Sequence, residues 1–142
     1  MFSIKLKPES KQLEAVRKDG SAIIYIENPS EEVQLAAVKQ NRYNIQYIKD
    51  PSEAVQLASV QQNRWAIQNI NNPTETVQLE VVKALEGLIR FIKNPTEAVQ
   101  IEAIKQNKNV IEYIKNPLGR VKLAIENINK YKAKQLEALW KK

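Results

Sequence analysis

The chain has 142 residues, 43% of them hydrophobic and 27% charged, the balance of one globular domain rather than a disordered or membrane-embedded chain. It contains no cysteine and no histidine, which removes thiol nucleophiles, thiolate zinc sites, imidazole ligands and the commonest general acid–base group together. The net charge of +6 is concentrated at one end: residues 117–142 carry Arg120, Lys122, Lys130, Lys132, Lys134, Lys141 and Lys142 against Glu126 and Glu137, and the rest of the chain is nearly neutral.

From the N-terminus, MFSIKLKPES has no long apolar run of the kind a signal peptide needs, and no later stretch approaches a membrane span. Residues 1–6 read as an extension, and a cytoplasmic location is expected, with which the lack of cysteine agrees. Beyond them the sequence repeats. Five of the six prolines stand at 29, 51, 73, 95 and 117, always 22 apart. The units read NPSEEVQLAAVKQNRYNIQYIK (28–49), DPSEAVQLASVQQNRWAIQNIN (50–71), NPTETVQLEVVKALEGLIRFIK (72–93) and NPTEAVQIEAIKQNKNVIEYIK (94–115). An earlier copy, residues 7–27, keeps the spacing from Gln12 onward, and a further unit starts at Asn116 and departs after Val121. A fixed period of this kind predicts a repeat architecture. The expected fold class is all-α: a short α-solenoid of about five 22-residue helix–turn–helix repeats. Residues 1–142 then form a single domain, with repeats over 7–116 and a basic helical cap over 117–142.

Each unit opens with helix-start chemistry. Asn28, Asp50, Asn72, Asn94 and Asn116 are expected as N-caps, with proline in the first helical position. Glu31, Glu53, Glu75 and Glu97 then complete a capping-box spacing. A first helix of about 12 residues should end near Asn41, Asn63 and Asn107, a residue type that tolerates the left-handed cap. A shorter second helix follows, RYNIQYI in one unit and RWAIQNI in the next. Val33, Leu35, Ala37 and Val38 spread over roughly 200° of the first helix at about 100° per residue, wide enough to meet both neighbouring units. Ile45, Ile48 and their counterparts make a narrower stripe on the second helix.

Gln12, Gln34, Gln56, Gln78 and Gln100 share one position, at the centre of the apolar arc. An unpaired buried amide costs about 1–3 kcal/mol, so these are expected to bond backbone groups of the turns between units, or one another. Glu14–Arg17, Glu80–Lys83 and Glu102–Lys105 have the spacing of solvated helix pairs.

The units VQLAAVKQNRYNIQYI and VQIEAIKQNKNVIEYI resemble the tandem V-x-L-x-A-V-K-Q-N-G-x-A-I-x-Y repeats of a bacterial and phage domain family of unknown function, and more distantly the leucine-rich-repeat-variant solenoids. The likeness covers roughly residues 7–116. It implies a right-handed stack of short helices, no catalytic residues and, through the family's phage setting, an inhibitor that occludes a host protein in the host cytoplasm. Arg42, Arg64 and Lys108 stand where that family usually has glycine; Gly20 keeps it.

If the repeats are scaffold, binding belongs where exposed positions differ between copies. These are Arg42, Tyr43 and Gln46; Arg64, Trp65 and Gln68; Glu86, Gly87 and Arg90; Lys108, Asn109 and Glu112. Tyr43 and Trp65, one unit apart and flanked by arginines, have the composition of a protein–protein hot spot. The unit 72–93 breaks the pattern at Leu85 and Gly87, which points to a bend or a groove. The expected function is a non-catalytic module, without metal or cofactor, that binds another protein. Leu136, Leu139 and Trp140 offer a homodimer contact in the cap. The alternative is a helical repeat protein that binds single-stranded nucleic acid through Arg42, Tyr43, Arg64, Trp65 and the C-terminal lysines.

Overall fold

The computed structural model describes residues 7–141. The extension over residues 1–6 and the last lysine of the basic segment, Lys142, lie outside the described residues. Among the described residues every regular element is helical, six α-helices alternating with five short 3-10 helices. The α-helices are α1 (Glu9–Lys18), α2 (Glu31–Gln40), α3 (Glu53–Gln62), α4 (Glu75–Ala84), α5 (Glu97–Gln106) and α6 (Gly119–Trp140). The 3-10 helices are Gly20–Tyr25, Arg42–Tyr47, Arg64–Asn69, Glu86–Phe91 and Lys108–Tyr113. Each α-helix packs on the next, and each 3-10 helix packs on the next and on the α-helices beside it, except that the last, Lys108–Tyr113, packs on α5 rather than α6. The α-helices thus form one row and the 3-10 helices a second.

The helix ends differ from expectation in two ways. The N-caps are Ser30, Ser52, Thr74 and Thr96, two residues after the expected asparagine or aspartate, and their hydroxyls accept from the amides of Val33, Val55, Val77 and Val99. Asn28 and Asp50 take φ 51, a left-handed turn conformation that Asn and Asp tolerate. The glutamate therefore opens the helix rather than closing a capping box. The carboxylate of Glu31 accepts from the Ser52 hydroxyl of the next unit at 2.6 Å, and Glu9 accepts from Ser30 at 2.9 Å. At the other end, Asn41, Asn63 and Asn107 are extended, not left-handed (φ −153, −160 and −148). Each instead caps the 3-10 helix that follows, accepting from the amides of Tyr43, Trp65 and Asn109. One asparagine so ends one helix and starts another, which leaves ten residues for each α-helix of the repeats rather than twelve.

Val33, Ala37 and Val38, with Val55, Val60, Val77, Val81, Val82, Val99, Ala103 and Ile104, are buried between the rows with Ile23, Ile45, Ile67 and Ile89. Leu35 is only half-buried, so the buried arc is narrower than the apolar one. Gly20 has a local reason: the buried Asn44 side chain donates to the Ala37 carbonyl at 2.9 Å, and a Cβ on Gly20 would collide with that amide nitrogen.

The repeated glutamines join the turns. Nε2 of Gln12, Gln34, Gln56, Gln78 and Gln100 donates to the carbonyl five residues back, of Lys7, Pro29, Pro51, Pro73 and Pro95. Oε1 of Gln56, Gln78 and Gln100 accepts from the amide of Thr74, Thr96 and Leu118 in the next unit. Gln56 and Gln100 donate further, to the carbonyls of Asn72 and Asn116. Gln34 makes the first bond alone, and its Oε1 is buried without a hydrogen-bond partner.

The surface pairs are not the ones the spacing suggests, and one of them crosses between elements. Glu80 meets Arg64 at 3.1 Å rather than Lys83, Glu14 meets Lys11 at 2.9 Å rather than Arg17, and Glu102 accepts from Gln106. α6 is one continuous helix in which Val121 is buried, Ile125 and Ile128 are half-buried against the core, and residues from Asn129 onward are exposed. Leu118 holds the cap position there and has no hydroxyl, so Glu97 takes its place: its carboxylate accepts from the Arg120 guanidinium at 2.9 Å and the Arg120 amide at 3.2 Å.

Replacing Gln56 by Leu should cost about 2 kcal/mol, because the turn groups it joins lose their partners. Thermal unfolding followed by circular dichroism should show a midpoint about 4–8 °C lower. The bonds from Arg120 hold the Glu97 carboxyl below the usual carboxylate range. Since its folded pKa is depressed, its contribution is complete above the unfolded value near about 4.3 and is lost as pH falls through the folded one. Protection of the first α6 amides against hydrogen exchange should therefore drop below about pH 4, and Glu97→Gln should remove that pH dependence.

Candidate functional site

The units look neutral in sum, yet over the four middle units, residues 28–118, the two rows carry opposite charge. α2 to α5 hold Glu31, Glu32, Glu53, Glu75, Glu80, Glu97 and Glu102 against Lys39, Lys83 and Lys105. The 3-10 helices from Arg42 onward, with the turns after them, hold Arg42, Lys49, Arg64, Arg90, Lys93, Lys108 and Lys115 against Asp50, Glu86 and Glu112. Since α-helices pack on α-helices and 3-10 helices on 3-10 helices, the alternating acidic and basic segments fall into separate rows.

The basic face also carries the aromatic rings. Tyr25, Tyr47, Phe91 and Tyr113 share one repeat position at the end of the 3-10 helices; Tyr25, Tyr47 and Phe91 are exposed and Tyr113 is half-buried. Asn69 stands in this series between Tyr47 and Phe91. There Trp65, 41% exposed, tilts against Phe91 with ring centroids 5.7 Å apart. Tyr43, 38% exposed, does not stack on Trp65; its ring lies under the guanidinium of its neighbour Arg42 at 4.4 Å. Arg90 lies 4.7 Å over Phe91 and 5.6 Å over Tyr113, so Trp65, Phe91, Arg90 and Tyr113 form one contiguous cluster. Cation–ring contacts of this kind contribute about 0.5–1 kcal/mol each at exposed sites.

The remaining candidates separate. Arg64 is drawn away from the rings, donating to the Gln61 carbonyl at 3.0 Å and to Glu80 on α4. Lys108 lies 5.9 Å over Tyr131 of α6. Gln46, Gln68 and Asn109 are exposed. The residues missed in the sequence were Phe91, Tyr113 and Tyr47, although an aromatic recurring every 22 residues was a readable signal. A second surface lies on α6, where Leu136, Leu139 and Trp140 are exposed, Trp140 at 87%. Among the described residues no group of three His, Cys, Asp or Glu side chains could hold a metal, and no helix is long and apolar enough to cross a membrane.

No protein-family model, curated protein or solved structure matches the chain. The likeness to a repeat family therefore rests on the motif alone.

Where Tyr43, Trp65 and Asn109 sit, the unit 72–93 has Gly87, and a Cβ there would meet nothing within 4 Å. Leu85 in place of asparagine leaves that 3-10 helix without a side-chain cap. Gly87→Ala should raise stability by about 0.4–1 kcal/mol through the lower entropy of the unfolded chain. A chemical denaturation midpoint that falls instead would show that the glycine is required by its neighbours.

Proposed function

We propose that the chain is a right-handed α-solenoid of five 22-residue units, without chemistry of its own, that binds another protein through its 3-10 face. The observation that carries this is the cluster of Trp65, Phe91, Arg90 and Tyr113, continued by Tyr43 and Tyr47 on the same face. Aromatic and arginine side chains dominate the energetics of protein interfaces, since their rings bury a large area at little entropic cost. The acidic helices α2 to α5 bias the orientation in which a charged partner approaches the basic 3-10 face.

Nucleic acid is the rival occupant, because cations over rings also suit stacked bases. Charge density speaks against it. Packed helices are about 8–10 Å apart, so the basic face gains roughly one net positive charge over that distance. A nucleic-acid strand in B-form carries a phosphate every ~3.4 Å.

The test is affinity capture from the cells of origin with wild-type protein, Trp65→Ala and Tyr43→Ala, followed by identification of the retained partner and titration against it. Trp65→Ala is expected to weaken that binding by about thirtyfold, the effect of losing roughly 2 kcal/mol at a hot spot. Retention by Trp65→Ala equal to wild type rejects the reading. So does salt-sensitive binding of oligo-dT that disappears in Arg42→Gln and Arg90→Gln.

A further inference from the structure

A cleft recurs at the junction of successive units, in the same frame each time. Its copies are built on Ile26, Pro29, Gln34 and Ile48; on Ile48, Pro51, Gln56 and Ile70; and on Ile92, Pro95, Gln100 and Ile114. The last two have volumes of about 260 and 290 Å³. Each copy has the proline turn and a glutamine bonded to it, with the bond to the next unit made by Gln56 and Gln100 but not by Gln34; the rim differs more. In the cleft on Gln56 the rim offers Gln46, Lys49 and Asn71, with Asp50 beside them. At the same positions the cleft on Gln100 has Arg90, Lys93 and Lys115, and Asn94 replaces Asp50.

Three cations without a carboxylate now border one cleft. Among the described residues none of Arg90, Lys93 and Lys115 takes part in an ion pair. Arg90 is held by the rings of Phe91 and Tyr113 rather than by a counter-charge, which leaves its hydrogen-bonding edge unspent. Gln100 is uncharged, and both ends of its amide are committed to backbone groups.

We propose that this cleft seats an acidic side chain of the protein partner, and that the partner segment places a large apolar residue beside it, against Trp65 and Phe91. The inference rests on the protein-binding reading above and names the chemistry of what is bound. A planar guanidinium suits a carboxylate through paired hydrogen bonds, and two flanking ammonium groups add attraction without fixing geometry. A polyanion running along the whole face fits less well, because Asp50 lines the clefts on Gln34 and Gln56 and would repel it. A single acid next to an apolar residue meets charge only where the cations gather.

The test titrates the full chain with a fluorescein-labelled peptide of alternating Glu and Leu, with the matching Lys and Leu peptide, and with labelled oligo-dT. The acidic peptide should bind best, and the triple variant R90Q/K93Q/K115Q should weaken it about tenfold, the sum of several exposed charge contacts. Asn94→Asp, which installs the carboxylate that the cleft on Gln56 already has, should weaken it as well; this exposed change guards against misfolding of the triple variant. Equal binding of both peptides, unchanged binding by the two variants, or preference for oligo-dT overturns the proposal. If the captured native partner is lost with Trp65→Ala but kept by R90Q/K93Q/K115Q, the protein-binding reading stands and the cleft assignment falls.

Discussion

An amide clamp joins successive units at Gln56, Gln78 and Gln100. A turn that contains proline lacks one backbone donor, and its carbonyls have no helix to join, so the junction between units would be a line of unpaired polar groups. The glutamine side chain meets both needs: Nε2 takes a carbonyl of its own unit's turn, and Oε1 takes an amide of the next. Its place at the centre of an otherwise apolar helix face looks costly only while those partners are ignored. The clamp ties the start of one α-helix to the start of the next at three junctions, and two of the clefts lie on it, at Gln56 and Gln100.

A second linkage runs beside the first, between helix starts on the exposed edge. Glu9 and Glu31 each accept from the serine that caps the following helix, so a local device is used across units. At the last junction the device changes hands. Leu118 offers no hydroxyl, Gly119 adopts φ +38 with the Glu97 carboxylate packed where its Cβ would be, and Glu97 captures Arg120. The repeat pattern ends in the sequence at this point, and the structure continues it by one more ion pair before α6 leaves the core.

Opposite charges on the two rows follow from the same economy of positions. Helix starts favour glutamate next to the positive end of the helix dipole, which loads the α-row with acid. The short 3-10 helices have no such constraint, and their exposed positions accumulate arginine, lysine and aromatic rings. Segregation of charge is thus partly a by-product of helix capping, while the clustering of Arg90, Lys93 and Lys115 around one cleft is not: the same positions of the cleft on Gln56 hold one lysine, with Asp50 beside it.

Local chemistry was legible without coordinates. The 22-residue register, the pair of helices in each unit, the buried valines and isoleucines, and the inward glutamines all follow from periodicity and from the cost of an unpaired amide, which act over a few residues. What stayed hidden involves choices between equals or contacts far along the chain. Asn28 and Ser30 are both good caps, and only the stack decides that serine caps while asparagine turns. Glu80 has Lys83 one turn away, yet it pairs with Arg64, sixteen residues back. Tyr43 and Trp65 are equivalent in the sequence, but one lies under its own arginine and the other against Phe91 of the next unit. Two residues of the same type in the same repeat position meet different neighbours because adjacent units differ, and that difference is expressed only when the units are packed together.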